Sequence, residues 1–454
     1  MNKPLSSPAR PQTQVRRVAI LFSGGPAPAA NAVIASAATC FSRAGIEVLG
    51  ILNGYSHLMK FSPGDELKEG VAYVRLEHKL LEGMRNAQGI MIGTARANPG
   101  RKLRRPEDLG NAEATAPLQT IYDALSSLDV DALISIGGDD TLTTAAKFKL
   151  FQDRMPDAAK RIRVVHLPKT IDNDYHGIDF TFGYFTAVEM LSQQLFNLLA
   201  DARSTGTYFV AQVMGRAAGW LAYGAAIAGE SSLVIGLEDI SPDWKSTEPA
   251  TDTRTGKTII DEATGRPVQR EIILVEKIIQ RIVDTLIARE KEGKSHGVIV
   301  MAEGIAEFLP LSEIRMCMSD YEYTKLKADE YGHFPVSQLK FSSHIGRLAA
   351  DAYKERTGKD KKIVGLQFGY EVRCHRPTAF DVVLGSQLGV GAYRALAERD
   401  DNGVMISVTG HLGLLYEPFS KLIDLAKLRA YPRPIIPGED FHQLARYMEV
   451  RVEE

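Results

Sequence analysis

Two adjacent aspartates follow an apolar run in the stretch ISIGGDDTLTTAAKF, which extends from Ile134 to Phe148. A lone aspartate at such a place is usually the N-terminal cap of a helix, because its carboxylate accepts a free backbone N–H. Two adjacent carboxylates repel each other, and a cap needs only one of them. Asp139 could instead hold Mg²⁺, which takes few protein carboxylates and keeps water and phosphate ligands. Asp140 then needs an explanation of its own.

A second acidic pair lies in PKTIDND, which runs from Pro168 to Asp174. Asp172 and Asp174 are two residues apart, so in extended geometry both side chains would point to the same side. Paired acids beside Lys169 suit a general base next to a cation that stabilises developing phosphate charge. The alternative is an Asx-rich turn without chemistry. The lysine and Thr170 favour the chemical interpretation.

The segment LFSGGPAPAANAVI joins a predicted strand to a predicted helix through Gly24 and Gly25. Glycines there let the backbone approach a ligand closely, and the helix N-terminus presents free N–H groups to an anion. The segment is not a Walker A loop, because no GK[ST] follows. Taken alone, it is equally compatible with phosphate binding and with an ordinary strand-to-helix turn.

Further candidate ligand groups follow small or turning residues elsewhere in the chain. Arg96 ends GTAR and Arg216 ends VMGR, and arginine suits forked contacts with phosphate oxygens. Glu303 follows the run GVIVMA, where a carboxylate could bind sugar hydroxyls, and Tyr370 with Arg373 could bind a phosphate. Taken alone, each arginine is better explained as a surface residue, and strand-end glutamates and tyrosines are common.

Short apolar runs alternate with helical patterns along the whole chain. Strands are predicted in RVAILFSGG, IEVLGILNG, VDALISIGG, RIRVVHLPKT, GTYFVAQVMG, SSLVIGLEDI, SHGVIVMAEG and KIVGLQFGY. Such runs, separated by helices, indicate parallel sheets covered on both faces, and they are too many for one sheet. We therefore predict an α/β fold with two doubly wound domains. SGGPAPAAN, GGDDT, PKTIDND, VMGR, AEG and GYEVR would all lie at the carboxyl edges of these sheets, where ligands bind.

Length and composition limit the classes of function. The 454 residues suggest two or three domains, and 44% apolar with 24% charged residues is ordinary for a soluble globular protein. The formal net charge of −2 gives no electrostatic reason to expect a nucleic-acid or membrane partner. Three widely separated cysteines without CxxC spacing argue against a disulfide framework or a zinc site and favour a cytoplasmic protein. No apolar run is long enough to suggest a membrane span.

The order of the motifs is more specific than any one of them. SGGPAPAAN, GTAR, GGDDT, PKTIDND, MGR, AEG and GYExR resemble, in this order, the motifs of the phosphofructokinase family, from about Arg16 to about Leu415. The resemblance implies two Rossmann-like α/β domains with the active site in the cleft between them. It also implies Mg²⁺-dependent transfer of a phosphoryl group to the 1-hydroxyl of fructose 6-phosphate.

The resemblance also implies roles for individual residues, carried over motif by motif. Asp172 would be the general base, with Lys169 and Asp140 as further catalytic residues. Asp139 would be associated with Mg²⁺, and Asp174 would be its acidic neighbour. The donor-binding residues would be Gly24, Gly25, Arg96, Asp140 and Lys169. The residues that bind the sugar phosphate would be Thr170, Ile171, Asp172, Met214, Gly215, Arg216, Glu303, Tyr370 and Arg373.

The residue at position 140 separates two groups within the family that this chain resembles. ATP-using members carry glycine there, as GGDG, whereas pyrophosphate-using members carry aspartate, as here. A carboxylate fills the volume where the α-phosphate of a nucleotide would lie and repels its charge. Lys169 agrees less specifically, since some ATP-using members also read PKTIDND. We therefore expect pyrophosphate as the donor and a reversible step that serves glycolysis and gluconeogenesis.

The sequence departs from the family pattern in three places. Ala29 stands where many members have a third glycine; because alanine can take helical geometry, we expect little effect. Thr207 and Val364 replace two arginines that bacterial ATP-using members extend into a neighbouring subunit's site. Some other basic group must then complete the 6-phosphate site, or that site binds more weakly. We see no clear allosteric nucleotide site and expect an unregulated homodimer or homotetramer.

The predicted domains follow from the motifs. Residues 1–15 would be a disordered tail, with a transit peptide as the alternative, and 16–183 would be the donor domain, completed by part of 374–425. Residues 184–373 would be the fructose 6-phosphate domain, with insertions near 241–270 and 305–341, and 426–454 would be a C-terminal extension. Three alternatives stay open: the same enzyme using ATP, a non-catalytic regulatory subunit, and another acceptor such as sedoheptulose 7-phosphate. The intact acids and Lys169 argue against a regulatory subunit.

Overall fold

The structure is a computed structural model that describes residues 6–252, 255–261, 264–325 and 336–452. The chain divides into two units, one of Met1–Thr186 with Val372–Pro432 and one of Ala187–Glu371 with Arg433–Glu454. Parts of the predicted tail, of both predicted insertions and of the predicted C-terminal extension lie outside the described residues. Those parts are residues 1–5, 253–254, 262–263, 326–335 and 453–454.

The secondary-structure elements of the described residues are numbered along the chain. The strands are β1 (Arg17–Ser23), β2 (Glu47–Ile51), β3 (Tyr73–Arg75), β4 (Ala132–Gly137), β5 (Arg163–Pro168), β6 (Tyr208–Val213), β7 (Leu233–Ile235), β8 (Lys245–Pro249), β9 (Thr251–Asp252), β10 (Lys257–Thr258), β11 (Gln269–Ile273), β12 (Gly297–Ala302), β13 (Ile363–Phe368), β14 (Val404–Thr409), β15 (Gly413–Pro418), β16 (Ile423–Asp424) and β17 (Arg429–Ala430).

The α-helices of the same residues are α1 (Ala30–Arg43), α2 (His78–Leu81), α3 (Ala112–Ser127), α4 (Asp139–Asp153), α5 (Tyr184–Thr205), α6 (Trp220–Ala228), α7 (Val275–Lys291), α8 (Leu311–Met316), α9 (Asp320–Lys325), α10 (Phe341–Thr357), α11 (Ala379–Tyr393), α12 (Phe419–Leu422) and α13 (Asp440–Met448). Among the described residues, no helix has both the length and the apolar character that crossing a membrane requires.

The first unit contains a seven-stranded sheet in the order β15-β14-β5-β4-β1-β2-β3. Its five central strands are parallel, and β3 and β15 add antiparallel edges that the sequence did not predict. The chain runs from β1 to β2 in one direction across the sheet and from β4 to β5 in the other. The strand order therefore reverses between β1 and β4, and ligands of doubly wound sheets bind at this switch point. The predicted doubly wound sheet is confirmed for this unit.

Helix α1 of the first unit is rich in alanine and packs against α11. The contact is close because α11 carries glycine at the crossing: a Cβ at Gly389 would lie 2.5 Å from the Val33 carbonyl oxygen. Crossovers between parallel strands are right-handed, so α1 and α4, which leave the switch point in opposite directions, cover opposite faces of the sheet. The N-termini of both helices consequently begin beside the switch point.

The second unit contains a four-stranded parallel sheet in the order β13-β6-β12-β7. Strands β6 and β12 are buried throughout, which explains their unbroken apolar sequences. The register places Val213 beside both Ala302 and Phe368, so VMGR, AEG and GYEVR leave the sheet at one edge. The predicted alignment of these three motifs is confirmed. In the region predicted as an insertion, β8 and β11 pair as an antiparallel ribbon.

The C-terminal residues return to the second unit and cover the edge of its sheet. Arg446 of α13 donates a hydrogen bond to the Val234 carbonyl oxygen at 2.6 Å. Glu449 accepts one from the Val234 N–H at 2.8 Å. Phe441 stacks on Trp220 at the start of α6, with ring centroids 5.0 Å apart. An exposed strand edge would invite pairing with another chain, so this helix protects β7.

A neutral histidine lies in the core of the first unit. His166 of β5 is fully buried, and its Nε2 lies 2.9 Å from the Tyr175 hydroxyl, which donates to the Gly137 carbonyl oxygen at 3.0 Å. Desolvation lowers the pKa of His166 to about 3. The imidazole therefore stays uncharged at neutral pH and serves as a fixed partner for Tyr175.

We predict that His166 makes the fold sensitive to acid. The unfolded chain takes up a proton near pH 6.5 whereas the folded chain does not, so stability falls as the pH drops from about 6.5 towards 3. A His166→Gln variant keeps an amide donor for Tyr175 without this titration. Urea unfolding between pH 7 and 4.5 should show wild type losing up to about 1.4 kcal/mol per pH unit more than the variant. Parallel pH profiles would contradict the assignment.

Candidate active site

The glycine turn after β1 is shaped by a backbone conformation that needs glycine. Gly24 has φ of +94°, a region that residues with a Cβ rarely adopt. Its N–H donates to the Ala95 carbonyl oxygen at 3.0 Å, and its carbonyl oxygen accepts from the Thr94 hydroxyl at 2.7 Å. These bonds hold the GTAR segment directly beside the turn. The structure thus brings together two predicted donor-binding motifs that are far apart in sequence.

The expectation for Ala29 was wrong. This residue precedes the first turn of α1 with φ of +65°, which is left-handed rather than helical. A left-handed residue with a Cβ costs roughly 1–2 kcal/mol, which explains why a glycine suits this position in relatives. The carbonyl oxygen of Ala29 accepts N–H groups of the helix at 2.9 and 3.2 Å, so the conformation is fixed by the start of α1.

Both aspartates of GGDD lie in the first turn of α4, and neither is its cap. The cap residue is Gly138, which has no side chain, and the helix begins at Asp139. One oxygen of Asp139 accepts the N–H of Asp140 at 2.8 Å. Both side chains are exposed, at the positive end of the helix dipole. Capping therefore does not explain the pair, and both carboxylates remain accessible to a ligand or metal.

Lys169 lies between the two turns of the switch point. Its Nζ is 3.6 Å from the position that a Cβ would take at Gly24, and 3.9 Å from the corresponding position at Gly138. The side chain is buried, with 8% of its residue surface exposed. Desolvation lowers the pKa of Lys169, and the nearby carboxylates of Asp172 and Asp139 oppose that shift. A positive charge is thus placed between two backbone turns that could each bind phosphate.

The loop PKTIDND is a pinned turn, and the predicted extended geometry was wrong. Asn173 has φ of +54°, a left-handed conformation that asparagine tolerates better than most residues. Its side-chain oxygen accepts the Thr181 N–H at 2.9 Å. The Thr181 hydroxyl donates to the Thr170 carbonyl oxygen at 2.8 Å. The closeness of the two acids therefore comes from a turn and not from the period of a strand.

Three carboxylates of this loop and of α4 interact electrostatically. Burial first, and then the charges of Asp172 and Asp139, raise the pKa of Asp174 to about 7. A hydrogen bond from Thr170 opposes that shift. The Thr170 hydroxyl also accepts the N–H of Asp172 at 3.0 Å. The loop thus concentrates negative charge beside Lys169 without enough positive charge to balance it.

The two predicted arginines of the first unit have different environments. Arg96 is exposed at the end of the GTAR loop. Arg373, predicted as a ligand of the sugar phosphate, lies within the first unit, with its guanidinium carbon 3.8 Å from a Cβ position at Gly25. Its charge also acts on Lys169. The structure therefore places Arg373 beside the predicted donor turn, a location that the sequence did not predict.

The remaining predicted residues lie at the carboxyl edge of the second unit's sheet. Glycine permits their close approach: a Cβ at Gly304 would lie 2.2 Å from the Arg216 carbonyl oxygen. The Gly304 N–H donates to the Gly215 carbonyl oxygen at 3.0 Å, so MGR and AEG are joined. Met214 and Glu303 are buried, with 8% and 5% of their residue surfaces exposed.

Arg216 and Tyr370, two of the predicted ligands of the sugar phosphate, are exposed. Arg216 carries its guanidinium outwards and forms an ion pair with Glu307, which lies on the helical turn Glu303–Phe308. Tyr370 is 63% exposed after β13. Both side chains are accessible to a ligand at the carboxyl edge of the sheet.

A family model described as Phosphofructokinase matches residues 17–396. The chain belongs to the phosphofructokinase family. It is 32% identical over 446 residues to a pyrophosphate–fructose 6-phosphate 1-phosphotransferase of Naegleria fowleri, with 97% of this chain and 89% of that protein covered. It is 30% identical over 395 residues to an ATP-dependent 6-phosphofructokinase of Mycobacterium bovis, with 87% and 91% covered.

A solved structure supports the fold of this phosphofructokinase-family chain. The crystal structure of a pyrophosphate-dependent phosphofructokinase from Marinobacter aquaeolei matches with a TM-score of 0.61 at 16% identity. The match covers 97% of this chain and 93% of that one. At this identity the match shows a shared fold alone.

The acids of the first unit fit a Mg²⁺ ion of the kind that the family implies. In the described parts of the chain, no three His, Cys, Asp or Glu side chains are arranged to hold a metal by themselves. Mg²⁺ does not need such a cage, since it is usually held by one or two carboxylates with water and substrate phosphates. Burial, and then the charges of Asp172 and Asp139, raise the pKa of Asp174, and a divalent cation beside these carboxylates would favour their charged forms. Asp139 and Asp174 therefore fit this role.

Several residues that shape this phosphofructokinase-family site were missed by the sequence analysis. Tyr175 joins the end of β4 to the PKTIDND loop through Gly137, and His166 supports it from β5. Asn173 and Thr181 fix the turn that carries the acids. The only signal in the sequence was the asparagine between two aspartates, which is typical of a left-handed turn position.

We predict that the charge of Asp174 destabilises the ligand-free protein. Its carboxyl has a pKa of about 7 when folded and near 3.8 when unfolded, so stability falls as the pH rises between these values. An Asp174→Asn variant should be more stable than wild type at pH 8, by an amount that changes little down to about pH 7 and then shrinks by up to about 1.4 kcal/mol per unit as the pH is lowered further. Urea unfolding at pH 5, 6.5 and 8 measures the difference.

The control for this experiment is Asp123→Asn, which changes a half-buried acid of α3 that accepts a hydrogen bond from Gln119, outside the predicted site. That variant should follow the pH profile of wild type. Adding Mg²⁺ at pH 8 should narrow the stability difference between wild type and Asp174→Asn, because the variant lacks one of the two carboxylates assigned to the cation. If the difference in free energy of unfolding between the two proteins does not change with pH, the pKa of Asp174 is not raised in the folded protein.

Proposed function

We propose that this chain transfers a phosphoryl group from pyrophosphate to the 1-hydroxyl of fructose 6-phosphate, giving fructose 1,6-bisphosphate and phosphate. The observation that carries the proposal is Asp140 in the first turn of α4, next to the switch point where Lys169 is buried. The similarity to the Naegleria fowleri enzyme supports the same donor. The resemblance to pyrophosphate-using members of the family implies that this reaction is reversible.

Pyrophosphate is bound by the turn after β1 and by the cations around it. Gly24 and Gly25 carry no side chain, so the backbone lets an anion approach closely near the start of α1, where the helix dipole favours it. Lys169, which is buried between the two turns, neutralises charge on the two phosphoryl groups. The exposed Arg96 adds a second positive charge. Arg373 adds a third positive charge beside Gly25, in addition to the role in 6-phosphate binding that the motif assigns to it.

The residues that the motifs assign to fructose 6-phosphate lie in the PKTIDND loop of the first unit and at the carboxyl edge of the sheet of the second unit. Thr170 and Ile171 contact the sugar beside Asp172. Met214, Gly215 and Arg216 form the turn that carries the substrate, with Glu303 accepting sugar hydroxyls and Tyr370 contacting the 6-phosphate. The close contact of Gly304 with the Arg216 carbonyl oxygen fixes the position of that turn relative to Glu303.

Asp172 accepts the proton of the 1-hydroxyl while the oxygen of that hydroxyl attacks the terminal phosphorus of pyrophosphate. The bond from that phosphorus to the bridging oxygen breaks, and phosphate leaves with the electron pair. Such transfer depends on positioning and on charge stabilisation rather than on covalent chemistry of the protein. Lys169 stabilises the charge that builds on the phosphoryl oxygens. Asp139 and Asp174 would hold a Mg²⁺ ion, which would supply further positive charge to the donor.

The alternatives keep parts of this assignment. Use of ATP, as the name of the Mycobacterium bovis relative indicates for that protein, would make Asp140 tolerated rather than selective. A regulatory subunit would not need Lys169 with all three acids. Sedoheptulose 7-phosphate remains a possible second acceptor. We also propose a cytoplasmic location, a homodimer or homotetramer, and no allosteric nucleotide site, each on the basis of the sequence alone.

We predict that Asp172→Asn abolishes turnover while leaving substrate binding intact. Loss of a general base should lower kcat by about 10²–10⁴-fold, with the dissociation constant of fructose 6-phosphate little changed. Calorimetric binding of fructose 6-phosphate and initial-rate kinetics measure the two quantities on the same preparation. Asp123→Asn serves as the matched control and should retain full turnover. A kcat near that of wild type would remove Asp172 from the mechanism.

The test of the proposed function is a donor comparison. Purified protein with Mg²⁺ and fructose 6-phosphate receives either pyrophosphate or ATP, and formation of fructose 1,6-bisphosphate is followed. We expect turnover with pyrophosphate only, and reformation of pyrophosphate from fructose 1,6-bisphosphate and phosphate. Turnover with ATP alone would refute the donor assignment while leaving the family unchanged. Silence with both donors would support the regulatory-subunit alternative.

A further inference from the structure

The MGR turn, which the motifs assign to fructose 6-phosphate, leads directly into helix α6. Gly219 occupies the cap position of that helix and has no side chain to act as a cap. The backbone N–H groups at the start of α6 therefore need acceptors from elsewhere. Because only two residues separate Arg216 from Gly219, a group that binds this end of the helix also fixes the backbone that carries Arg216.

Glu238 supplies the missing cap from a later part of the chain. The Gly219 N–H donates to its two carboxylate oxygens at 3.0 and 3.1 Å. This approach needs glycine, because a Cβ at position 219 would lie 2.7 Å from one of these oxygens. Glu238 belongs to the helical turn Leu237–Asp239, which follows β7. A carboxylate suits the position, since the start of a helix carries partial positive charge.

The turn Leu237–Asp239 also contacts the motif that contains Glu303. A Cβ at Gly304 would lie 2.7 Å from Leu237 Cδ1. The same short turn therefore supports both the end of MGR and the AEG segment, the two parts of this sheet edge that are joined by the Gly304 hydrogen bond to Gly215. A change in its position would move both groups of predicted sugar-phosphate ligands.

Residues 433–449, which we name the C-terminal strap, hold the turn Leu237–Asp239 through both of its acids. The Ile435 N–H donates to Glu238 at 3.0 Å, on an oxygen that also accepts the Gly219 N–H. His442 Nε2 lies 3.0 Å from an oxygen of Asp239. Burial raises the pKa of Glu238, and the N–H groups of Gly219 and Ile435 oppose that shift. The strap thus helps to keep the capping carboxylate charged.

The C-terminal strap also contacts α6 directly. The indole N–H of Trp220, the first residue of that helix, donates to the Arg433 carbonyl oxygen at 2.8 Å. The Arg433 guanidinium lies over the same ring, 4.7 Å from its centroid. The strap therefore reaches the end of the MGR turn by two routes, one through Glu238 and one through Trp220.

We propose that Glu238 is a positioning residue for the MGR turn, and that the C-terminal strap sets the affinity for fructose 6-phosphate by holding Glu238 against the start of α6. The inference rests on the proposed function, because that function assigns MGR to this substrate. Glu238 acts through the backbone of Gly219 and not through the substrate itself. Its loss should therefore weaken binding of the sugar phosphate and leave the use of pyrophosphate unchanged.

The experiment compares two substitutions of Glu238. Glu238→Met keeps the length of the side chain but removes both acceptors, whereas Glu238→Gln keeps one oxygen for the two N–H donors. The matched control is Asp284→Asn, which changes a half-buried carboxylate of α7 in the same unit that pairs with Arg356. Initial rates give kcat and the KM for each substrate. Hydrogen exchange with mass spectrometry follows residues 214–219 in the absence of ligand.

We expect Glu238→Met to raise the KM for fructose 6-phosphate by roughly tenfold or more, as the loss of a hydrogen bond to a charged acceptor predicts. Its kcat and its KM for pyrophosphate should stay within about twofold of wild type, because only the turn is displaced. Glu238→Gln should restore most of the affinity, and Asp284→Asn should match wild type. Exchange of residues 214–219 should be faster in Glu238→Met, since the Gly219 N–H loses its acceptor.

Trp220→Phe tests the second route. It removes the indole N–H that binds Arg433 but keeps an aromatic ring to stack on Phe441. The KM for fructose 6-phosphate should rise by roughly two- to fivefold at unchanged kcat, as expected for one uncharged hydrogen bond. Near-ultraviolet circular dichroism reports the folding of each variant, and Trp220→Phe decides the test if Glu238→Met does not fold.

The proposal is overturned by a folded Glu238→Met whose KM for fructose 6-phosphate equals that of wild type. It is also overturned if kcat or the KM for pyrophosphate changes as much, which would indicate a general structural role. If Glu238→Met does not fold, a Trp220→Phe variant with the KM of Asp284→Asn has the same consequence. Failure of the proposed function is distinguishable, because it appears in wild type as absent turnover with pyrophosphate. Calorimetric binding of fructose 6-phosphate and the exchange of residues 214–219 then still compare the variants.

Discussion

The burial of one ammonium among three carboxylates is the constraint on which the site of the first unit depends. Desolvation alone would drive Lys169 to its neutral form and Asp174 to its protonated form. The carboxylates of Asp172 and Asp139 support the charge of Lys169, but they raise the pKa of Asp174 further, and hydrogen bonds oppose that second shift. The acids outnumber the lysine, so the ligand-free site carries an excess of negative charge. A bound cation relieves that excess, and the site therefore gains most from a donor that arrives with a metal.

Because the acids repel one another, neutral contacts must hold the loop that carries them. The Tyr175 hydroxyl binds the Gly137 carbonyl oxygen, and Thr181 binds both Asn173 and Thr170. None of these bonds changes when the acids gain or lose protons or a metal. The parallel strands supply the rest, since β1, β4 and β5 all end at the edge where the loop lies. The conformation of the PKTIDND loop is therefore fixed by uncharged groups. Its acids can then be placed close together for the reaction, although their repulsion lowers the stability of the fold.

The fold class and the strand-end motifs could be predicted from the sequence because they depend on local patterns. Apolar runs that end in glycine or acids identify the carboxyl edges of parallel strands without any knowledge of long-range pairing. The position of Arg373 beside Gly25 could not be predicted in this way, since only the folded chain brings the two together. The same holds for the left-handed Ala29 and for α13 on the edge of β7. The sequence therefore identified the polar residues that follow the strands, but it did not show which of these residues contact each other in the folded chain.

Position 140 shows how a reliable marker can differ from a complete cause. An aspartate there is found in a family member only if the space above it is not needed by a nucleoside, so the residue reports the donor even where its own repulsion is modest. A nucleotide also arrives with a bound cation that neutralises part of its charge, which weakens any electrostatic barrier further.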